Sequence, residues 1–130
     1  MNAVQVIFGV FLIAHGLVHA GLAAAPRPDI PDAKPFTFWT SPSWLLTGLG
    51  ESFSRPAGTV LWIASTLLFV TAGLGVLGLP GLGDIWRGLT VAGAATSLML
   101  LLLFWHSWLV IGVIINVGLL LLVLALDWTP

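Results

Sequence analysis

The sequence predicts an all-α integral membrane protein built as a bundle of four transmembrane helices. Its 130 residues are 58% hydrophobic and only 7% charged, and the mean hydropathy is +1.09. A soluble domain carries about 25% charged residues, so the composition cannot furnish a water-facing surface. Of the nine charged residues, eight lie outside four long apolar runs, and the ninth, Arg87, lies at the start of the third. Both observations indicate that most of the surface faces lipid.

The four apolar runs have the length of membrane helices. Each is about 20 residues long, which at about 1.5 Å per residue crosses the roughly 30 Å hydrocarbon layer. Only helices and closed barrels satisfy their backbone in lipid, and the runs lack the alternating pattern of barrel strands. We therefore predict a single membrane domain, residues 1–130, with spans at about 3–25, 57–78, 85–105 and 108–126.

Residues that break helices mark the ends of these spans. Pro26 ends the first span and Pro80 the second, and Asp127 follows the fourth. The third and fourth runs are separated only by Trp105–Trp108 (WHSW), which predicts a tight helical hairpin. The segment before Val4 has no Lys or Arg, so we expect the first run to be a retained membrane helix and not a cleaved signal peptide.

The only long connection, residues 26–56, joins the first two spans and begins with a proline-rich segment. Within it, Ser41–Gly48 has the pattern of a short helix, with Ser41 as the N-cap and Pro42 as the first helical residue. Since this segment is too short to span, we expect it to lie at the membrane interface or to fold over the bundle.

Four crossings place both termini at one end of the bundle. The opposite end, which we call face A, carries the first loop and the turn around His106. Tryptophans are enriched at membrane interfaces, and we predict that four of them anchor face A: Trp39, Trp44, Trp105 and Trp108. Three of the four basic residues lie at this face, so the positive-inside rule places it in the cytoplasm and the protein in a bacterial inner membrane.

A candidate polar site lies within the first span, where His15 and His19 are four residues apart on one side of the helix. Ionisable residues inside a membrane are costly and are functional candidates by default. A metal site would need about three protein ligands, and His106 or Glu51 would have to supply the third. Depth argues against this, because His19 lies about 9 Å inside the span by helical rise whereas His106 lies at its boundary.

Three other interpretations remain. One histidine could hold a haem or chlorophyll, although a bis-His haem would need a second histidine on a facing helix. A proton or solute path is a second option, although no acidic residue lies within a span. The third is that His15 and His19 form hydrogen bonds with Asn116, Ser97 or Thr96 and lock the bundle.

The composition excludes several classes of function. The absence of cysteine excludes disulfides and thiol catalysis, and the net charge of −1 offers no basic patch for nucleic acid. Two classes stay open. The first is a non-enzymatic structural or accessory subunit that contacts lipid, pigment, other membrane subunits or a second copy. The second is a protein that binds a ligand, metal or proton through His15 and His19, as a transporter, sensor or metalloenzyme. The sequence requires no cofactor.

Three short motifs resemble those of an uncharacterised, widespread set of small four-span bacterial membrane proteins. They are His15–His19 (HGLVH) in the first span, Ser54–Gly58 (SRPAG) before the second, and Ile114–Val117 (IINV) in the last. The resemblance implies a four-span fold and a bacterial origin, and it implies no activity. The chain departs from the family pattern at Trp105–Trp108, where the family usually has an aspartate.

Overall fold

In a computed structural model, which describes residues 1–126 and 128–130, four consecutive helices form a bundle. The helices are α1 (Ala3–Ala24), α2 (Glu51–Val76), α3 (Trp86–Leu103) and α4 (Val110–Leu120). A 3-10 turn, Ser107–Leu109, precedes α4, and a π-helical turn, Leu121–Ala125, extends it. All four are long and apolar enough to cross a membrane, α4 with its two turns. The predicted all-α, four-helix membrane class is confirmed, and the described residues contain no strand.

The start of α2 differs most from the prediction. It begins at Glu51, ahead of the predicted residue 57, and continues through Pro56. Pro56 is the sixth residue of α2, past the unpaired donors of the first turn, so it leaves the Ser52 carbonyl without a donor from residue 56. Glu51 favours this early start, because an acid stabilises the first turn of a helix and its carboxylate pairs with Arg55 at 3.0 Å.

The prediction of a short helix over Ser41–Gly48 is wrong. Only a 3-10 turn forms at the end of this segment, over Thr47–Leu49. Two serine hydroxyls of this segment, including that of the predicted N-cap Ser41, bond to distant groups. Ser41 accepts from the Arg27 guanidinium (3.1 Å) and Ser43 donates to the Leu103 carbonyl (2.5 Å). The loop therefore folds over the bundle. Asp127, which we expected just after the fourth span, lies outside the described residues.

Arg27 joins this loop to the C-terminal end of α3. Its side chain is buried, and its five N–H donors make five hydrogen bonds. Nε and Nη2 donate to the two carboxylate oxygens of Asp29 (2.7 and 3.3 Å). The other three donors bond to Ser41 Oγ, the Phe104 carbonyl and the Trp105 carbonyl (3.1, 3.1 and 2.6 Å). The hydrogen bonds from Arg27 lower the pKa of the Asp29 carboxyl, which stays outside the spans.

Loop side chains cap four successive carbonyls at the end of α3. The last carbonyls of a helix have no partner within it, and here Trp44 Nε1 donates to the Leu102 carbonyl (2.7 Å) and Ser43 to that of Leu103. Arg27 caps the next two carbonyls and places its positive charge at the negative end of the helix dipole. The first loop thus completes α3.

The helices pack in sequence order, α1 on α2, α2 on α3 and α3 on α4, while α1 and α4 touch little. Glycines bring α1 and α2 together, because a Cβ on Gly9 or Gly73 would collide with the facing helix. Far from face A, the rings of Phe8 and Trp128 lie 5.0 Å apart, so both termini are at one end. Toward face A, α1 and α4 leave a cleft open.

We expect Arg27→Ala to lower the free energy of unfolding by roughly 3 kcal/mol, because each buried polar group left without a partner costs about 1–3 kcal/mol. The matched control is Arg55→Ala, at the same face. Its ion pair with Glu51 is exposed on both sides, and such pairs contribute about 0–1 kcal/mol. Unfolding by denaturing detergent measures both variants. Equal losses would contradict the capping role of Arg27.

Candidate functional site

The candidate site is a cluster of four buried polar side chains from three helices: His15 and His19 of α1, Ser97 of α3 and Asn116 of α4. His15 Nε2 lies 3.1 Å from Asn116 Oδ1, and Asn116 Nδ2 lies 2.7 Å from Ser97 Oγ. Ser97 Oγ lies 2.7 Å from His19 Nε2. His19 Nδ1 then returns to the His15 carbonyl at 3.0 Å. The contacts form a closed ring, which we call the histidine ring.

The direction of every hydrogen bond in the histidine ring follows from this geometry. A carbonyl only accepts, so His19 Nδ1 carries a proton and donates to the His15 carbonyl. A neutral imidazole has one donor, so His19 Nε2 accepts from the Ser97 hydroxyl. Ser97 then accepts from the Asn116 amide, whose oxygen accepts from His15 Nε2–H. The ring is complete with both imidazoles neutral and in opposite tautomers.

Phe69 of α2 supports the histidine ring. It is fully buried, its ring meets that of His15 edge-on at 4.7 Å, and it lies 6.1 Å from that of His19. Glycines on the two neighbouring helices, Gly16 of α1 and Gly93 of α3, allow it to pack closely. A Cβ on Gly16 would lie 2.9 Å from the Phe69 Cβ, and a Cβ on Gly93 would lie 3.3 Å from the Phe69 ring. All four helices therefore contribute to the site.

Trp39 closes the site toward face A. We predicted an interface anchor, but its side chain is only 1% exposed. Its Nε1 donates to the His19 carbonyl at 2.9 Å, and its ring lies 6.4 Å from the His19 ring. Gly58 of the SRPAG motif allows this, because a Cβ there would collide with the Trp39 carbonyl. The other predicted anchors are exposed: Trp44, Trp105 and Trp108.

The remaining candidate residues lie away from the histidine ring. Thr96 donates to the Ala92 carbonyl of its own helix. Glu51 is exposed and paired with Arg55. His106 lies in the turn before α4, where its Nδ1 accepts from the backbone N–H of Trp108 at 3.2 Å. Among the described residues, no three His, Cys, Asp or Glu side chains come together as metal ligands.

The cleft between α1 and α4 opens beside the histidine ring. Its volume is about 390 Å³, and both histidines line it. Apart from the indole nitrogen of Trp108, the rest of its wall is apolar, and it includes Val18 and Leu22 of α1 with Ile111 and Ile115 of α4. A cavity of this size lies within the roughly 300–1,000 Å³ range of small-molecule sites.

The chemistry that this arrangement permits is limited. His19 uses both ring nitrogens within the histidine ring, so it can ligate a metal or shuttle a proton only after one of those bonds breaks. His15 uses Nε2 alone, and Nδ1 keeps a lone pair that makes no hydrogen bond to any described residue. One neutral acceptor beside an apolar cleft suits the binding of a small molecule better than acid–base catalysis.

Sequence reasoning missed two residues that build the site, Phe69 and Trp39, and a third, Arg27, that fixes the first loop to the end of α3. Phe69 is one of several large apolar residues in the second span. What distinguishes it is its packing against Gly16 of α1 and Gly93 of α3, which the sequence pattern does not reveal. Trp39 resembled an interface tryptophan. Arg27 resembled a solvated loop charge, although its flanking prolines, Pro26 and Pro28, were a sign of a constrained backbone.

No family model, no curated protein and no solved structure matches this chain. The interpretation of the site therefore rests on the geometry described above.

We expect Ser97→Ala to destabilise the bundle by about 1–2 kcal/mol, near the upper end of interhelical hydrogen bonds in membranes. The variant deprives both Asn116 Nδ2 and His19 Nε2 of a partner. Thr96→Val is the matched control, because the neighbouring hydroxyl bonds only within α3, and we expect it to be nearly neutral. Reversible unfolding in mixed detergent micelles compares the two. A neutral Ser97→Ala would show that the histidine ring does not hold the helices together.

Proposed function

We propose that this protein is a non-enzymatic structural or accessory subunit of a larger membrane assembly. The observation that carries the proposal is the closed histidine ring. It engages the two histidines of α1, His15 and His19, in hydrogen bonds that join α1, α3 and α4. Ionisable groups inside a membrane often serve ion paths or proton relays, but these serve helix packing. This supports a role in which the bundle is a rigid component and not a reaction centre.

The outer surface of α3 supports contact with another membrane protein. Gly88, Ala92 and Ala95 are exposed at spacings of four and three residues, which places them on one side of the helix. A Cβ at Gly88 would meet nothing within 4 Å, so packing within the chain does not require this glycine. Small residues in such a row let two membrane helices approach closely. The partner would be another subunit or a second copy.

A second candidate function is binding of a membrane-dissolved ligand. The observation that favours it is the cleft between α1 and α4, whose wall includes His15 with its uncommitted Nδ1. A sensor or carrier would use such a site. A metal ion is less well supported, because His19 would first have to release Ser97 or the His15 carbonyl.

We infer that the protein resides in a bacterial inner membrane, as the HGLVH and SRPAG motifs imply by their resemblance to small bacterial four-span proteins. Face A would be cytoplasmic, since Arg27, Lys34 and Arg55 lie at that end and basic residues favour the cytoplasmic side.

Crosslinking in native membranes tests the accessory role. We expect the wild-type chain to crosslink with one partner in a fixed ratio, and Ala92→Leu to reduce that yield several-fold, because a larger side chain separates helices packed through small residues. Ala14→Leu is the control, since Ala14 is also an exposed alanine within a span, on α1. The proposal fails if the wild type has no stoichiometric partner, or if both variants crosslink as well as the wild type.

A further inference from the structure

We propose that the cleft between α1 and α4 binds an apolar, membrane-dissolved molecule with a hydroxyl group, an alcohol or a phenol, and that this hydroxyl donates a hydrogen bond to His15 Nδ1. The inference rests on the second candidate function and names the class of ligand.

The cleft is accessible from the lipid phase. Two residues of its wall, Val18 of α1 and Ile111 of α4, are 54% and 64% exposed. Trp108, at the face A end of the cleft, is 67% exposed. These helices make few direct contacts toward face A, so no packed seam has to part for a molecule to enter from the side. Because nearly all of the wall is apolar, the body of the ligand must be apolar as well.

Two polar atoms of the wall make no hydrogen bond to a described residue: the indole Nε1 of Trp108, a donor at the face A end, and Nδ1 of His15, an acceptor within the span. His19 donates from Nδ1 and accepts at Nε2, so both of its nitrogens are engaged. His15 donates from Nε2 to Asn116 and therefore carries its lone pair on Nδ1. His15 is 8% exposed and lines the cleft. Nδ1 is not among the fully buried side-chain atoms, so a donor on a ligand in the cleft can reach it.

The lone pair determines which ligands fit. A ketone, quinone, ester or ether would place its own lone pairs against His15 Nδ1 and form no hydrogen bond with that atom. An ammonium group would be a strong donor, but moving its charge into this depth of the membrane is costly. A hydroxyl is the compact neutral donor. A single free nitrogen also falls short of the three ligands of an open zinc site.

Fluorescence quenching of the full chain in lipid nanodiscs tests the proposal. The probes are octanol brominated at the chain end and its methyl ether, which lacks the donor and carries one additional methyl group. Bromine quenches tryptophan on contact, and Trp108 lines the cleft. We expect saturable quenching in which the alcohol binds roughly fivefold to tenfold more tightly than the ether, the size of one neutral hydrogen bond. An alkylphenol brominated at the chain end distinguishes a phenol from an alcohol ligand.

Two glycines of α4 give matched variants. Gly112 lines the cleft, so Gly112→Leu should fill it and abolish saturable quenching. Gly118→Leu should neither fill the cleft nor abolish saturable quenching, because a Cβ at Gly118 meets nothing within 4 Å. Should Gly112→Leu fail to fold, competition replaces it: unbrominated octanol should displace the probe from the wild type, and its methyl ether should displace it poorly.

Equal affinities of the alcohol and the ether would overturn the proposal, as would quenching that never saturates or that persists in a folded Gly112→Leu variant. These outcomes are separate from failure of the accessory role. They leave the crosslinking to a partner through α3 unchanged, because Ala92 is exposed on the outer surface of α3 and does not line the cleft.

Discussion

Inside a bilayer there is no water to satisfy a polar group, so each donor and acceptor in the apolar region needs a partner within the protein. The histidine ring meets this constraint for its polar groups, with the exception of His15 Nδ1. Each of its four members completes the hydrogen bonding of the next, and the last bond returns to the carbonyl of His15. Since its members come from α1, α3 and α4, satisfying these groups also fixes the positions of three helices. Phe69 then brings in α2.

The same constraint explains how the helices end. The carbonyls at the end of α3 are bonded by Trp44, Ser43 and Arg27 from the first loop. At the opposite end of the bundle, the guanidinium of Arg87 donates to the Val123 carbonyl in the π-helical turn after α4, at 2.7 Å. In both places an arginine serves a helix C-terminus, where a cation is also favoured by the helix dipole. A small membrane protein thus uses its few charges to complete helix ends.

Much of the fold could be predicted from hydropathy, because a span requires a continuous apolar run and this chain has four. The partners of His15 and His19 were harder to predict. Asn116 and Ser97 could be selected as polar residues within spans, but Thr96 met the same criterion and faces away from the histidine ring. A shift of one residue on a helix turns a side chain by about 100°, and apolar runs carry little information on which side faces inward. Arg27 and Trp39 depend on how the loop folds back, which no local pattern encodes.

The central claim is that the histidine ring is closed and directional, and this accounts for both proposals. It engages His19 fully, which supports a structural role, and it leaves one acceptor on His15, which defines the ligand class. Nitrogen-15 spectra of histidine-labelled protein in bilayers test the claim directly, with a His106→Gln variant to assign the third histidine. We predict two neutral imidazoles in opposite tautomers, His15 protonated on Nε2 and His19 on Nδ1. Identical tautomers, or a cationic imidazole at neutral pH, would contradict it.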